Sequence, residues 1–129
     1  MVAVDTNVLV RFLTRDDVAQ AKRAAELIGS SEVWVAKTVL LETEWVLRSA
    51  YKFTREQIAG ALQTAAGLEN IRLEDPVTVE HALKWFDGGL DFADALHLAS
   101  LGEAERFATF DAKLAKKARK LTGVEILVL

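Results

Sequence analysis

The chain of 129 residues has no cysteine, which excludes disulfides, thiolate zinc sites and thiol nucleophiles together. Only two histidines are present, so a histidine-rich metal site is excluded as well, and any metal must be held mainly by oxygen. With a single proline and no linker or internal repeat, nothing marks a domain boundary. No run approaches the roughly 18 consecutive apolar residues of a membrane span. The opening MVAVDTN lacks the basic segment of a signal peptide, so the expected location is cytoplasmic, away from membranes. A formal charge of -3 argues against wrapping nucleic acid through overall charge, while leaving room for a local basic patch.

What is present is a composition 51% hydrophobic and 27% charged, that of an ordinary globule, in a chain the size of one domain spanning residues 1–129. Short β-rich runs at Val2–Val4, Glu32–Val35, Ile71–Leu73, Phe107–Phe110 and Val124–Leu129 alternate with stretches of helical spacing. The helix starts are marked chemically. Asp17 can cap a helix ending near Gly29, Thr54 with Gln57 makes a capping box, Pro76 suits a first helical position after Asp75, and Asp111 can cap AKLAKKARKL. Thr38 to Arg48 reads as a buried helix, Val8 to Thr14 as a short one, and DFADALHLASLGEAE as a helical stretch after the Gly88-Gly89 break. Alternation with nearly continuous apolar strands predicts an α/β protein: a three-layer α/β/α sandwich around a mainly parallel sheet.

Against this apolar background the acids stand out. Asp5, with Thr6 and Asn7, interrupts VAVDTNVLVRFL where a strand is expected to end, and Asp111 ends a later strand. In open α/β sheets the working crevice lies beyond the carboxyl ends of the strands. Glu42 in LLETEWVLR and Asp94 in DFADALHLA are acids among apolar helical neighbours. If the four converge, like charges raise one another's pKa, and a divalent cation relieves the conflict. An all-oxygen site favours Mg²⁺ or Mn²⁺ over Zn²⁺ and suggests phosphodiester chemistry. Each acid alone also has a structural explanation. Asp91 and Asp111 suit helix caps, Glu42 or Glu44 can pair with Arg48, and Asp5 can close an Asx turn.

Taken together, VDTNVLVRFL, LLETEWVLR, DFADALHLA and ATFDAKL resemble the PIN-domain nucleases, most closely the VapC-like toxins of type II toxin-antitoxin pairs. By position, the resemblance puts the family's acidic set on Asp5, Glu42, Asp94 and Asp111, with Asp91 as a possible fifth metal ligand and Thr6, Asn7 and Thr109 in support. It implies a Mg²⁺- or Mn²⁺-dependent endoribonuclease that hydrolyses RNA through a metal-activated water, is inhibited by a cognate antitoxin protein and forms homodimers. The alternatives are a PIN-fold nuclease outside any toxin system, processing RNA or cutting DNA, and a non-catalytic module that only holds a cation.

Substrate needs positive charge near such a centre, and the candidates are Arg11, Arg15 and the run Lys113, Lys116, Lys117, Arg119 and Lys120. That run reads equally as the solvated face of an amphipathic helix. His81 and His97 among apolar neighbours read as satisfied core residues, and Trp34, Trp45 and Trp85 as core or dimer surface.

Overall fold

Three short strands, β1 (Val2–Ala3), β2 (Val33–Val35) and β3 (Ile71–Leu73), pair in parallel in the order β1-β2-β3 in the computed structural model, which describes residues 1–129. Val2 lies opposite Val33, and Val33 opposite Ile71. The pleat shows directly in β2, where Val33 and Val35 are buried and Trp34 between them is 36% exposed. These strands belong to one of two compact units, Met1–Pro76 and Val77–Leu129.

The first unit carries four helices, α1 (Thr6–Thr14), α2 (Val18–Ser30), α3 (Lys37–Ser49) and α4 (Arg55–Ala66). Helix α1 begins two residues earlier than its apolar spacing predicts, because Thr6 and Asn7 take helical geometry instead of forming a turn. Asp17 caps α2 through the Gln20 N–H, and Ala21, Ala24 and Ile28 face inward as their spacing requires. Ala36 offers α3 no side-chain cap, and Glu74 Oε1 instead accepts the Lys37 N–H at 2.9 Å. Helix α4 has the reciprocal Thr54–Gln57 capping box. Helix α1 packs on α2 and α3, α3 on α4, and α4 on β3. Leu9, Leu47, Ile58 and Leu62 are at most 1% exposed, each gaining about 1.5–3 kcal/mol from burial.

Helix α5 (Pro76–Asp87) starts at its proline, the last residue of the first unit, and the rest of it opens the second unit and stops before Gly88 and Gly89. Gly89 has φ 118°, and a Cβ on Gly88 would meet a Leu121 methyl at 2.9 Å, so each position favours glycine for its own reason. Phe86 of α5 meets Phe92 edge-on, ring centres 5.5 Å apart. Helix α6 (Phe92–Ala99) is shorter than the sequence predicts. Ser100 caps it, and Gly102 at φ 60° turns the chain toward β4 (Arg106–Thr109). Helix α7 (Ala112–Leu121) then crosses over to β5 (Glu125–Val128), which pairs with β4 in parallel, Thr109 opposite Val128. Leu114, Ala115 and Ala118 of α7 are buried, and the helix packs on both strands. Every strand pair is parallel, as the alternation predicts. No helix is long and apolar enough to cross a membrane.

Candidate active site

One local arrangement occurs twice: a strand runs into an aspartate that caps the following helix. After β1, Asp5 has extended backbone (φ -87°, ψ 176°) and its Oδ1 accepts the Val8 N–H at 3.0 Å. After β4, Asp111 Oδ1 accepts the Lys113 and Leu114 N–H groups, both at 3.0 Å, and Thr109 Oγ1 accepts the Asp111 N–H at 3.0 Å. Each cap contributes about 1 kcal/mol to its helix. Both aspartates are solvent-exposed, and in each the cap engages Oδ1. The polar break in VAVDTNVLV is therefore an exposed helix cap.

Asp91 repeats the device at α6, its Oδ2 accepting the Asp94 N–H at 3.1 Å. Asp94 is half-buried. Burial pushes its carboxyl above the ordinary range, the charge of Asp91 adds to this, His97 one turn on opposes it, and Asp111 adds a further increment. The second unit thus brings Asp91, Asp94 and Asp111 within electrostatic reach of one another.

In the first unit, Glu42 is exposed on α3, whereas Glu44, two residues on, is 3% exposed. Two residues turn about 200° around a helix, so only one of the pair faces the core. Glu44 is the partner of Arg48, accepting from Nε at 2.9 Å and from Nη2 at 3.4 Å, which leaves Glu42 outside that pairing. Between them, Thr43 is fully buried and its Oγ1 has no hydrogen-bond partner.

A cavity of about 370 Å³ beside Asp5 is lined by Asn7, Arg11, Gln20 and Arg23 among others. Arg11 was a candidate for substrate phosphate, but its guanidinium is engaged inside the protein. Nε donates to Gln20 at 2.7 Å, and Nη1 donates to Asp16 at 3.2 Å and to the Tyr51 hydroxyl at 2.7 Å. The Tyr51 O–H donates in turn to Asp16 at 2.7 Å. That bond, against some desolvation and with help from Thr14 and Arg11, holds the Asp16 carboxyl below its ordinary range. The network joins α1, α2 and the residues after α3, so Arg11 acts first as a strut.

The structure corrects several other sequence expectations. His81 and His97 are exposed and not core residues; His81 stacks on Trp85, ring centres 5.7 Å apart. Trp45, one turn after Glu42, is 57% exposed. Of the basic run on α7, all five cations are exposed, and Arg119 reaches back to donate to the Ile126 carbonyl at 3.1 Å. The Arg11–Asp16–Tyr51 network had no signal in the sequence, since its members lie as far as 40 positions apart.

No three Asp, Glu or His side chains stand together in a group that could hold a metal ion. The donors on offer are carboxylate oxygens, the chemistry that suits Mg²⁺ or Mn²⁺, and the upward shift of Asp94 comes first from burial and then from the charges of Asp91 and Asp111. Compared with known protein families, residues 2–120 match the PIN domain. No curated protein sequence gives a significant match.

Proposed function

The chain belongs to the PIN-domain family, matched over residues 2–120, and from that membership we propose that it is a Mg²⁺- or Mn²⁺-dependent endoribonuclease acting as the toxin of a type II toxin-antitoxin pair. PIN domains are in general metal-dependent nucleases acting on nucleic acids. The family match runs through both compact units, which supports reading residues 1–129 as one nuclease domain. Cation binding and cleavage depend, on this reading, on Asp5, Glu42, Asp94 and Asp111, with Asp91 as a further ligand. A cognate antitoxin blocks the protein, which works as a homodimer. The toxin assignment rests on the four sequence motifs; the nuclease assignment rests on the family.

Within that family reading, the observation that supports metal-dependent chemistry is the acid pair at the start of α6: Asp91 caps the helix that carries Asp94, and burial first, then the charges of Asp91 and Asp111, raise the Asp94 carboxyl above its ordinary range. A cation bound beside Asp94 would offset the cost of holding a charge in that half-buried place. A bound divalent cation supplies charge stabilisation to the phosphodiester oxygens during in-line attack. The chain's own contribution is placement. Capping ties the Asp5 and Asp111 side chains to backbone donors at the starts of α1 and α7, which reduces the side-chain ordering that ligand binding would otherwise cost. Lys113, Lys117 and Lys120 on one face of α7 supply positive charge for the phosphate backbone.

The test is cleavage of a mixed structured-RNA pool by purified protein with Mg²⁺, with Mn²⁺, with EDTA, and by Asp5→Asn after its folding is checked. Cleavage that needs metal and is lost in the folded variant supports the nuclease. Cleavage indifferent to both, or none across RNA and DNA, favours the cation-holding module. Cleavage of DNA in preference to RNA favours a nuclease outside a toxin system. Growth arrest on expression, relieved by co-expressing a small DNA-binding protein should a neighbouring upstream gene encode one, tests the toxin assignment separately.

A further inference from the structure

Phe110 is the most exposed large apolar side chain in the protein, at 83%. It sits between two residues whose positions are set by hydrogen bonds. Thr109 ends β4 and its carbonyl accepts the Leu129 N–H at 2.9 Å, while Asp111 is tied to the start of α7 through Lys113 and Leu114. The ring is thus presented to solvent by a clamped turn, where the chain forgoes the stabilisation a buried Phe would bring. Its Cα lies about 3.8 Å from that of Asp111. Directly beyond begins α7, which carries Lys113, Lys116, Lys117, Arg119 and Lys120 and no acid in its ten residues.

An aromatic ring flanked by cations is the combination with which proteins hold single-stranded nucleic acid. The ring stacks on a base of any identity, and the cations follow the backbone. We infer that Phe110 is a stacking platform for an unpaired base next to the bond that is cut, positioning single-stranded RNA against Asp111. The inference rests on the nuclease reading and gives that reading a substrate form. Inside a duplex the base faces are already stacked, so the platform selects loops and single strands. Charge decides between nucleic acid and an apolar peptide as the occupant. The exposed surface of α7 is cationic without an acid, which a phosphate backbone matches and an apolar peptide does not, whereas the exposed Leu127, Val128 and Leu129, brought to Thr109 by strand pairing, make a protein contact the rival that the experiment separates.

The experiment measures binding of a short single-stranded oligoribonucleotide in EDTA by the full chain, by Phe110→Ala, by Phe110→Leu and by Phe110→Trp, with the association state of each checked by light scattering. In EDTA the readout is independent of cleavage. We expect Phe110→Ala and Phe110→Leu to bind roughly 5- to 150-fold more weakly, the loss of one stacked base. The salt dependence should stay unchanged because the phosphate contacts remain. Phe110→Trp should restore binding, with its added emission quenched by the oligonucleotide, and the melting temperature should not move in any variant. Unchanged binding by Phe110→Ala, or restoration by Phe110→Leu, overturns the platform while leaving the nuclease intact. Loss of dimers in Phe110→Ala with RNA binding retained overturns it in favour of a protein contact that includes the exposed Leu127 to Leu129. A parent protein that neither binds nor cuts RNA overturns both readings.

Discussion

Asp91 caps the helix on which Asp94 sits, its Oδ2 accepting the Asp94 N–H at 3.1 Å, so one carboxylate is held by backbone geometry against a second that is half-buried. An acid whose pKa is raised on folding stabilises the fold below its unfolded pKa and loses that contribution as pH rises through the folded value. Ionised Asp94 therefore weakens the metal-free protein at neutral pH. Asp94→Asn should stabilise it there by about 0.5–1 kcal/mol, a small figure because the site is partly solvated. The gain should vanish in acid, below the ordinary carboxylate range. Thermal melts from pH 3 to 8 read this, and a variant less stable than the parent at pH 7 would contradict it.

Added Mg²⁺ should raise the melting temperature of the parent, since a ligand of the folded state stabilises by mass action. The rise should shrink in Asp94→Asn and in Asp91→Asn. An identical rise in all three proteins would place the cation elsewhere.

The capping and the proposed catalytic roles of Asp5 separate by substitution. Asn caps as well as Asp does, so Asp5→Asn should keep the parent's stability, whereas Asp5→Ala should lose about 1 kcal/mol. Both should lower cleavage by about 100-fold or more, because several kcal/mol of charge stabilisation depends on the ligand set. Glu42→Gln, exposed and outside the Glu44–Arg48 pair, should lose activity with no change in melting temperature.

Buried Glu44 is paired with half-exposed Arg48 at 2.9 Å. Arg48→Ala should cost about 2–3 kcal/mol, somewhat less than a fully buried pair loses, since water reaches the vacated side. Glu44→Gln in that background should recover part of it. Urea unfolding of the two single variants and the double variant provides the cycle.

Thr43 Oγ1 is buried without a partner. Replacing the hydroxyl by a methyl of similar shape removes an unmet polar group, so Thr43→Val should be neutral or stabilise by up to about 1 kcal/mol. Thr43→Ser, which keeps the hydroxyl and loses the methyl, should destabilise.

Much of the architecture was legible because it is set by residues within four positions of one another. The caps at Asp17, Thr54, Asp91 and Asp111, the proline start of α5 and the break at Gly88-Gly89 are local hydrogen-bond and dihedral events. The parallel pairing followed from the alternation of elements. Boundaries slipped where local signals conflicted. Thr6 and Asn7 have turn propensity, yet they entered α1 because Asp5 supplied the cap and Thr6 was buried. The stretch after Ala99 kept helical composition, but Gly102 in the left-handed region turned the chain.

By itself, the sequence determined the order of elements, the places where helices begin, and the acids at those starts, since a cap needs only an oxygen and a backbone N–H a few residues away. Only the tertiary structure decided which of Glu42 and Glu44 faces the core, why Arg11 is occupied by Asp16 and Tyr51, and why His97, Trp45 and Phe110 meet solvent. Burial and pairing depend on which neighbour covers a face, and that neighbour can be 40 residues away in the chain, as Tyr51 is from Arg11.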